Sequence, residues 1–144
     1  MLSFAGAGRV YQGNEFVISE LAGYRIDRMI GLVPREGPDD APVAINMLPE
    51  GATWQRFFLD AGLAFWEDWR DLTDEENEAF RFVDYGEREH LRGELIREVR
   101  TSPVGKYGFA RLTIELASER RIALFFLDNE NMDTEVRIFI TPLR

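Results

Sequence analysis

The chain has 144 residues, the length of one domain, and its 45% hydrophobic and 30% charged residues exclude a disordered chain. Its formal net charge of -9 disfavours binding to nucleic acid or to an anionic membrane, and favours a basic partner. Cysteine is absent, which excludes disulfides, cysteine nucleophiles and zinc–thiolate sites.

The first 34 residues have the pattern of antiparallel strands. Residues 10–12 and 16–19 flank Gly13-Asn14, a sequence typical of a tight turn. In the run 24–33, apolar and charged residues alternate as in a half-buried strand. We therefore expect a twisted hairpin or a three-stranded meander.

The chain start has no basic region followed by an apolar core, so we expect no secretory signal. No apolar run reaches the roughly 18 residues that a membrane span needs. Together these features predict a cytoplasmic protein.

A proline-rich loop follows at residues 34–42, PREGPDDAP, which cannot sustain regular structure and belongs on the surface. The short apolar run 43–48 fits a buried strand, and Pro49-Glu50-Gly51 ends it.

The aromatic-rich segment from about residue 53 to about residue 70 predicts the main amphipathic helix, the largest source of core burial. Six residues fall on one stripe at a 3.6-residue period: Trp54, Phe57, Phe58, Ala61, Phe65 and Trp69. Gly62 would cost such a helix about 1 kcal/mol relative to alanine.

A second, short helix is predicted from about Asp74 to about Arg81, because Thr73 and Glu76 match a capping box. Residues 89–101 fit either a helix or a strand. Gly93 weakens the helix interpretation, so we favour the strand.

The C-terminal third predicts three hairpin-connected strands at residues 109–116, 121–127 and 135–141. Together these elements predict one α+β domain spanning residues 1–144. In it, N- and C-terminal strands form a curved antiparallel sheet that packs on the main helix and the short second helix.

The densest acidic patch lies at residues 67–78. In a helix, Glu67 and Asp71 would share a face four residues apart, where like charges cost stability unless a cation offsets them. The patch is therefore a solvated helix end, a surface for a basic protein, or a metal or catalytic site. Trp66 would point away from the core beside these acids and anchor an interface, unless another layer of the chain covers it. The predicted partner-binding residues are Trp66, Glu67, Asp68, Asp71, Asp74 and Glu75.

Motifs for catalysis and cofactors are weak. The only histidine, His90, is surrounded by charged residues and is best interpreted as solvated. The loop 128–135, DNENMDTE, places oxygen ligands at alternate positions but lacks the glycine of a calcium loop. We predict no catalytic residue, metal or cofactor.

In size, acidity and lack of a catalytic set, the chain is similar in kind to small bacterial immunity or inhibitor proteins. The first hypothesis is therefore an acidic module that binds a basic protein, such as a toxin or effector. The second is a small enzyme or ligand-binding domain, with Glu67, Asp71 and His90 converging in a pocket between sheet and helix. The third is a homo-oligomeric structural protein.

Overall fold

The segment predicted as the main helix is a β-hairpin. In the computed structural model, which describes residues 10–127 and 135–143, strand β5 (Trp54–Asp60) pairs antiparallel with β6 (Leu63–Trp69). The turn between them consists of Ala61 and Gly62, whose φ angles of 52° and 83° are both positive, as a type I′ turn requires. The predicted helix, and with it the α+β class, is wrong.

The physical reason why this segment resembles a helix in sequence lies in the two faces of the hairpin. Phe57 and Trp66 are cross-strand partners on the inner face, whereas Phe58 and Phe65 stack on the outer face with ring centroids 4.7 Å apart. Because both faces carry aromatic side chains, the strands lack the apolar–polar alternation of a half-exposed sheet. The resulting doublets of aromatic residues fit a helical stripe equally well.

Two antiparallel sheets make up the fold. The first has six strands in the order β1-β6-β5-β4-β3-β7, and the second has five in the order β11-β10-β9-β8-β2. The remaining strands are β1 (Val10–Gly13), β2 (Phe16–Val17), β3 (Ile26–Pro34), β4 (Ala44–Pro49), β7 (Phe80–Asp84), β8 (Ile96–Val104), β9 (Phe109–Leu116), β10 (Arg121–Phe126) and β11 (Val136–Ile140). Among the described residues, the helical elements are a 3-10 turn at Ser19–Leu21 and a single turn of helix, α1 (Tyr85–Arg88).

One hydrophobic core lies between the inner faces of the two sheets. Met47, Phe57 and Trp66 come from the six-stranded sheet, and Leu112 and Ile122 come from the five-stranded sheet. Burying such side chains contributes roughly 1.5–3 kcal/mol each before the loss of conformational entropy is counted. The main contribution to the core thus comes from strands.

Several strand predictions are confirmed. Strand β9 has the predicted bounds, β10 and β11 each lie within one residue of theirs, and β4 matches the predicted buried strand. The favoured strand at 89–101 is only partly right, since β8 begins at Ile96. The 128–134 part of the polar loop lies outside the described residues.

Two local predictions are wrong. The second helix predicted at 74–81 is absent, and irregular chain leads into strand β7. The strands around Gly13-Asn14 do not pair with each other, since β1 joins β6 and β2 joins β8. In both places long-range pairing overrides the local sequence signal. Among the described residues, no helix has the length and apolar character needed to cross a membrane.

Candidate functional site

The acidic segment lies on the outer face of the six-stranded sheet. Strand β6 is next to one edge of this sheet and β7 forms the other edge, so the connection between them passes across β5, β4 and β3. We call this connection, residues 70–79, the strap. Since the strap crosses the sheet, its acidic side chains are displayed over the middle of one face of the molecule.

Asp74 fixes the centre of the strap to the sheet. Its carboxylate accepts hydrogen bonds from Arg56 Nε at 2.9 Å and from Asn46 Nδ2 at 2.8 Å. Arg56 also forms an ion pair with Glu67 at 3.0 Å, and its guanidinium lies over the ring of Phe58, 4.7 Å from the centroid. The like charges of Glu67 and Asp74 are therefore offset by one shared cation in a mostly buried setting.

The end of the strap is held at the edge of strand β7. The backbone N–H of Phe82 donates to Glu76 Oε2 at 2.9 Å, and that of Asn77 donates to the carbonyl of Phe80 at 3.0 Å. The Arg35 side chain donates to the carbonyl of Asn77 at 2.6 Å. These contacts use hydrogen-bonding groups of an edge strand that would otherwise be open to pairing.

The strap also covers apolar side chains on the outer face. By the strand register, Ile30 and Leu32 point away from the inner core, as do Ala44 and Trp54. All four are nevertheless buried, and none belongs to the core cluster between the sheets. The strap thus adds a partial third layer, which explains why this sheet is apolar on both faces.

The exposed side of the strap is negatively charged. Residues 67–78 contain seven carboxylates and one arginine. The exposed carboxylates of the strap are Asp71, Glu75, Glu76 and Glu78, and its other exposed residues are Arg70, Thr73, Asn77 and Ala79. With Asp74 fixed by Arg56, these carboxylates are carried on a segment that is anchored at its centre and at its end.

The predicted partner-binding residues fall into three groups. Trp66 is only 3% exposed, and its indole N–H donates to Gln55 Oε1 at 2.6 Å, so it offers no surface to a partner in this conformation. Glu67 and Asp74 are bound to Arg56, and Asp68 accepts a hydrogen bond from Gln55 Nε2 at 3.1 Å. Asp71 and Glu75 are exposed, and the partner-binding role of the set stays a prediction.

His90 has a structural role at the end of helix α1. Its φ of 53° places it in the left-handed region, while its N–H donates to the carbonyl of Glu87 and that of Leu91 donates to the carbonyl of Gly86. These two bonds form a Schellman motif with His90 at the position that glycine usually occupies. The exposed histidine predicted from the sequence is thus found at a helix end.

His90 also lines a polar cleft of about 580 Å³, together with Asp27, Asp84 and Glu87. Neither Glu67 nor Asp71, the other two groups of the pocket hypothesis, lines this cleft. The convergence of Glu67, Asp71 and His90 that this hypothesis requires does not occur in this cleft.

The proline-rich loop 34–42 is tied to both sheets. Arg81 and Arg88 form ion pairs with Asp39, at 2.6 and 2.8 Å, and hold the pKa of that carboxyl below its ordinary value. The Tyr85 hydroxyl donates to the carbonyl of Asp39 at 2.6 Å. The N–H of Ile138, on strand β11, donates to the carbonyl of Asp40 at 2.8 Å. Local sequence patterns do not predict these contacts, because their partners lie more than 40 residues apart in the chain.

Comparison of the chain with protein-family models, with curated proteins and with solved structures finds no match.

Proposed function

We propose that this protein is a binding module that presents the strap to a basic protein partner, such as a toxin or effector, in the cytoplasm. The observation that supports the proposal is the set of exposed carboxylates on a segment fixed by the Asp74–Arg56 ion pair. A fixed segment loses less conformational entropy on binding than a flexible acidic tail, so more of the electrostatic attraction appears as affinity.

The net charge of the whole molecule also favours binding of a basic protein. A net charge of -9 attracts a basic protein from a distance, and such steering raises association rates by roughly 10–1000-fold at low salt. The strap then sets the orientation, since it concentrates negative charge on one face.

The test uses three immobilised forms of the protein as baits in an extract of the source organism. The strap variant carries Asp71→Asn, Glu75→Gln and Glu78→Gln, which leaves the Asp74 and Glu76 anchors intact. The matched control carries Glu15→Gln, Glu36→Gln and Glu50→Gln, all exposed positions outside the strap. Each variant loses three negative charges, so the comparison tests where on the surface the charge is removed.

We expect wild type and control to retain the same basic protein, and the strap variant to lose it. With that protein purified, titration calorimetry should show about tenfold weaker binding to the strap variant, since three exposed charge contacts contribute roughly 0.2–1 kcal/mol each. Retention of the same protein by all three baits, or of no basic protein by wild type, contradicts the proposal.

A further inference from the structure

The outer face of the five-stranded sheet differs from that of the six-stranded sheet. By the register of β8, β9, β10 and β11, this face presents residues at alternate positions. Its exposed and half-buried residues include Glu98, Arg100, Arg111, Glu115, Arg121, Phe125, Arg137 and Phe139, whereas Thr113 and Ala123 on the same face are buried. Within the part of the chain that the structure describes, no segment crosses this face as the strap crosses the other one.

The middle of this face is a shallow concavity of about 660 Å³. Ala123, on strand β10, is a small residue in its lining, which also includes the aromatic residues Phe125 and Phe139. Phe139 is 51% exposed, an unusual state for a large aromatic side chain without a partner. An apolar centre with charged surroundings is the usual composition of a protein–protein contact.

This face carries four arginines, Arg100, Arg111, Arg121 and Arg137, and two glutamates, Glu98 and Glu115. Among these charges, Arg111 and Glu115 are placed so that each would meet the other in a second copy. On strand β9, Arg111 and Glu115 lie two residues on either side of Thr113. In the strand register Thr113 is the partner of Ala123, Ala123 is the partner of Phe139, and Thr113 is also the partner of Arg100, which gives a row of residues across four strands. On β10, Arg121 and Phe125 lie two residues on either side of Ala123.

We propose that this face binds a second copy of the chain, about a two-fold axis that runs along the row Thr113, Ala123 and Phe139. Rotation about that axis turns one sheet over onto the other and reverses the direction of each strand. Arg111 of one copy then faces Glu115 of the other, and Arg121 faces the ring of Phe125. Phe139, on the edge strand β11, meets its own symmetry mate at one end of the row, which makes the contact isologous. At the other end Arg100 meets its own mate, and its charge is offset by Glu98 of the same chain at 3.4 Å.

The charged side chains that these contacts between the two copies require are available. Among the described residues Arg111 has no ion-pair partner, so its guanidinium is free to bind a carboxylate of the second copy. Glu115 pairs with Arg121 at 3.4 Å and keeps a second oxygen for Arg111. Arginine over an aromatic ring adds a cation–π contact of about 0.5–1 kcal/mol or more.

The size of the face sets the expected affinity. Five strands spaced about 4.8 Å apart, with roughly six residues at about 3.3 Å each, cover about 24 by 20 Å. That footprint is at the low end for specific interfaces, so we expect a dissociation constant in the micromolar range. Repulsion between two chains of net charge -9 weakens the dimer at low salt, and physiological salt screens it.

The dimer is independent of the function proposed for the strap. The outer faces of the two sheets point in opposite directions, so a dimer through the five-stranded sheet leaves both straps exposed at its far ends. Loss of partner binding would overturn the strap proposal alone, and a monomer in solution would overturn this one alone.

The decisive experiment uses a pair of charge variants, Arg111→Glu and Glu115→Arg, measured by sedimentation equilibrium at protein concentrations from 1 to about 200 μM. Each variant alone places like charges opposite one another, and we expect its dimer to weaken at least about tenfold relative to wild type. Mixed in equal amounts, the two variants restore opposite charges at both contacts, and a heterodimer of near wild-type affinity should form.

Phe139→Glu supplies a second test, with Val43→Glu as its control, since Val43 is 43% exposed and lies outside this face. We expect Phe139→Glu to be monomeric and Val43→Glu to dimerise like wild type, with both thermal midpoints within a few degrees of wild type. A monomeric wild type at 200 μM, or a mixture of charge variants that stays monomeric while wild type dimerises, overturns the proposal.

Discussion

Gly31 leaves the space on the inner side of strand β3 that the ring of Tyr85 fills. A β-carbon at position 31 would lie 2.9 Å from Cζ of Tyr85 and even closer to Cε2, where no β-carbon is accommodated without movement. The ring passes over this glycine so that its hydroxyl reaches the carbonyl of Asp39. One glycine thereby allows the segment after β7 to hold the proline-rich loop.

Gly31→Ala should lower the free energy of unfolding by about 1–3 kcal/mol, since overpacking displaces the Tyr85 ring. In a Tyr85→Ala background, which removes the ring, the same change should cost close to nothing. Urea denaturation of the four proteins in this double-mutant cycle measures the coupling. Equal costs of Gly31→Ala in both backgrounds would show that the ring is not the cause.

Tyr85 should make stability depend on pH in the alkaline range. Burial, with the charges of Asp40 and Asp39, raises the pKa of its phenol well above the ordinary 10.0. For a group whose folded pKa is raised, the stabilisation is complete below the unfolded pKa and is lost as pH rises above it. We therefore expect the free energy of unfolding to fall above pH 10.

Tyr85→Phe separates this effect from other alkaline titrations. At pH 7 the variant should lose about 1 kcal/mol, the value of one hydrogen bond. Above pH 10 its free energy of unfolding should fall less steeply than that of wild type, because the variant lacks the Tyr85 phenol. Tyr11, Tyr24 and Tyr107 are present in both proteins and do not contribute to the difference. Urea titrations at pH 7, 9, 10.5 and 11.5 provide the comparison, and parallel curves would refute this role of Tyr85.

Arg56→Met should release the strap. The substitution leaves the mostly buried carboxylates of Glu67 and Asp74 without their shared cation, and we expect a loss of about 2 kcal/mol. Asp74→Asn keeps the size of the side chain and removes one negative charge, so it should cost about 1 kcal/mol or less. Hydrogen exchange at the amides of Asn77 and Phe82 should accelerate more in Arg56→Met than in Asp74→Asn. Unchanged exchange at both amides in Arg56→Met would show that Arg56 does not hold the strap.

Ala61→Asn should stabilise the protein. Ala61 has a φ of 52°, which costs a residue with a β-carbon roughly 1–2 kcal/mol, and asparagine tolerates this region better. The change creates Asn-Gly, the preferred sequence of a type I′ turn, and we expect a gain of about 1 kcal/mol. Ala22→Asn, at an exposed residue with a φ of -65°, is the control and should give no gain. A lower thermal midpoint for Ala61→Asn would contradict this account of the turn.

The strands that could be predicted from the sequence are those with one clear local pattern. In β9, inward Leu112 and Ile114 alternate with Arg111, Thr113 and Glu115, and only a strand satisfies that period. Residues 54–69 show the opposite case. Their aromatic doublets fit both periods, and Ala61-Gly62 at the centre fits a position within a helix as well as a turn between strands.

The candidate site was predicted in composition but not in geometry. The acidic character of residues 67–78 follows directly from the sequence. That Arg56 binds both Glu67 and Asp74, and that Trp66 lies inside the core, depends on which strands pair. The 3.6-residue period placed Trp66 off the apolar stripe, whereas the two-residue period of a strand places it on the inner face beside Phe57.

The sequence by itself determined the charge, the absence of cysteine chemistry, the C-terminal strands and the position of the proline-rich loop. Each of these depends on composition or on neighbours within a few residues. The tertiary structure decided that β1 joins β6, that β2 joins β8, and that the strap crosses the six-stranded sheet. Such contacts join residues far apart in the chain, and their energy comes from burial and pairing that no local pattern contains.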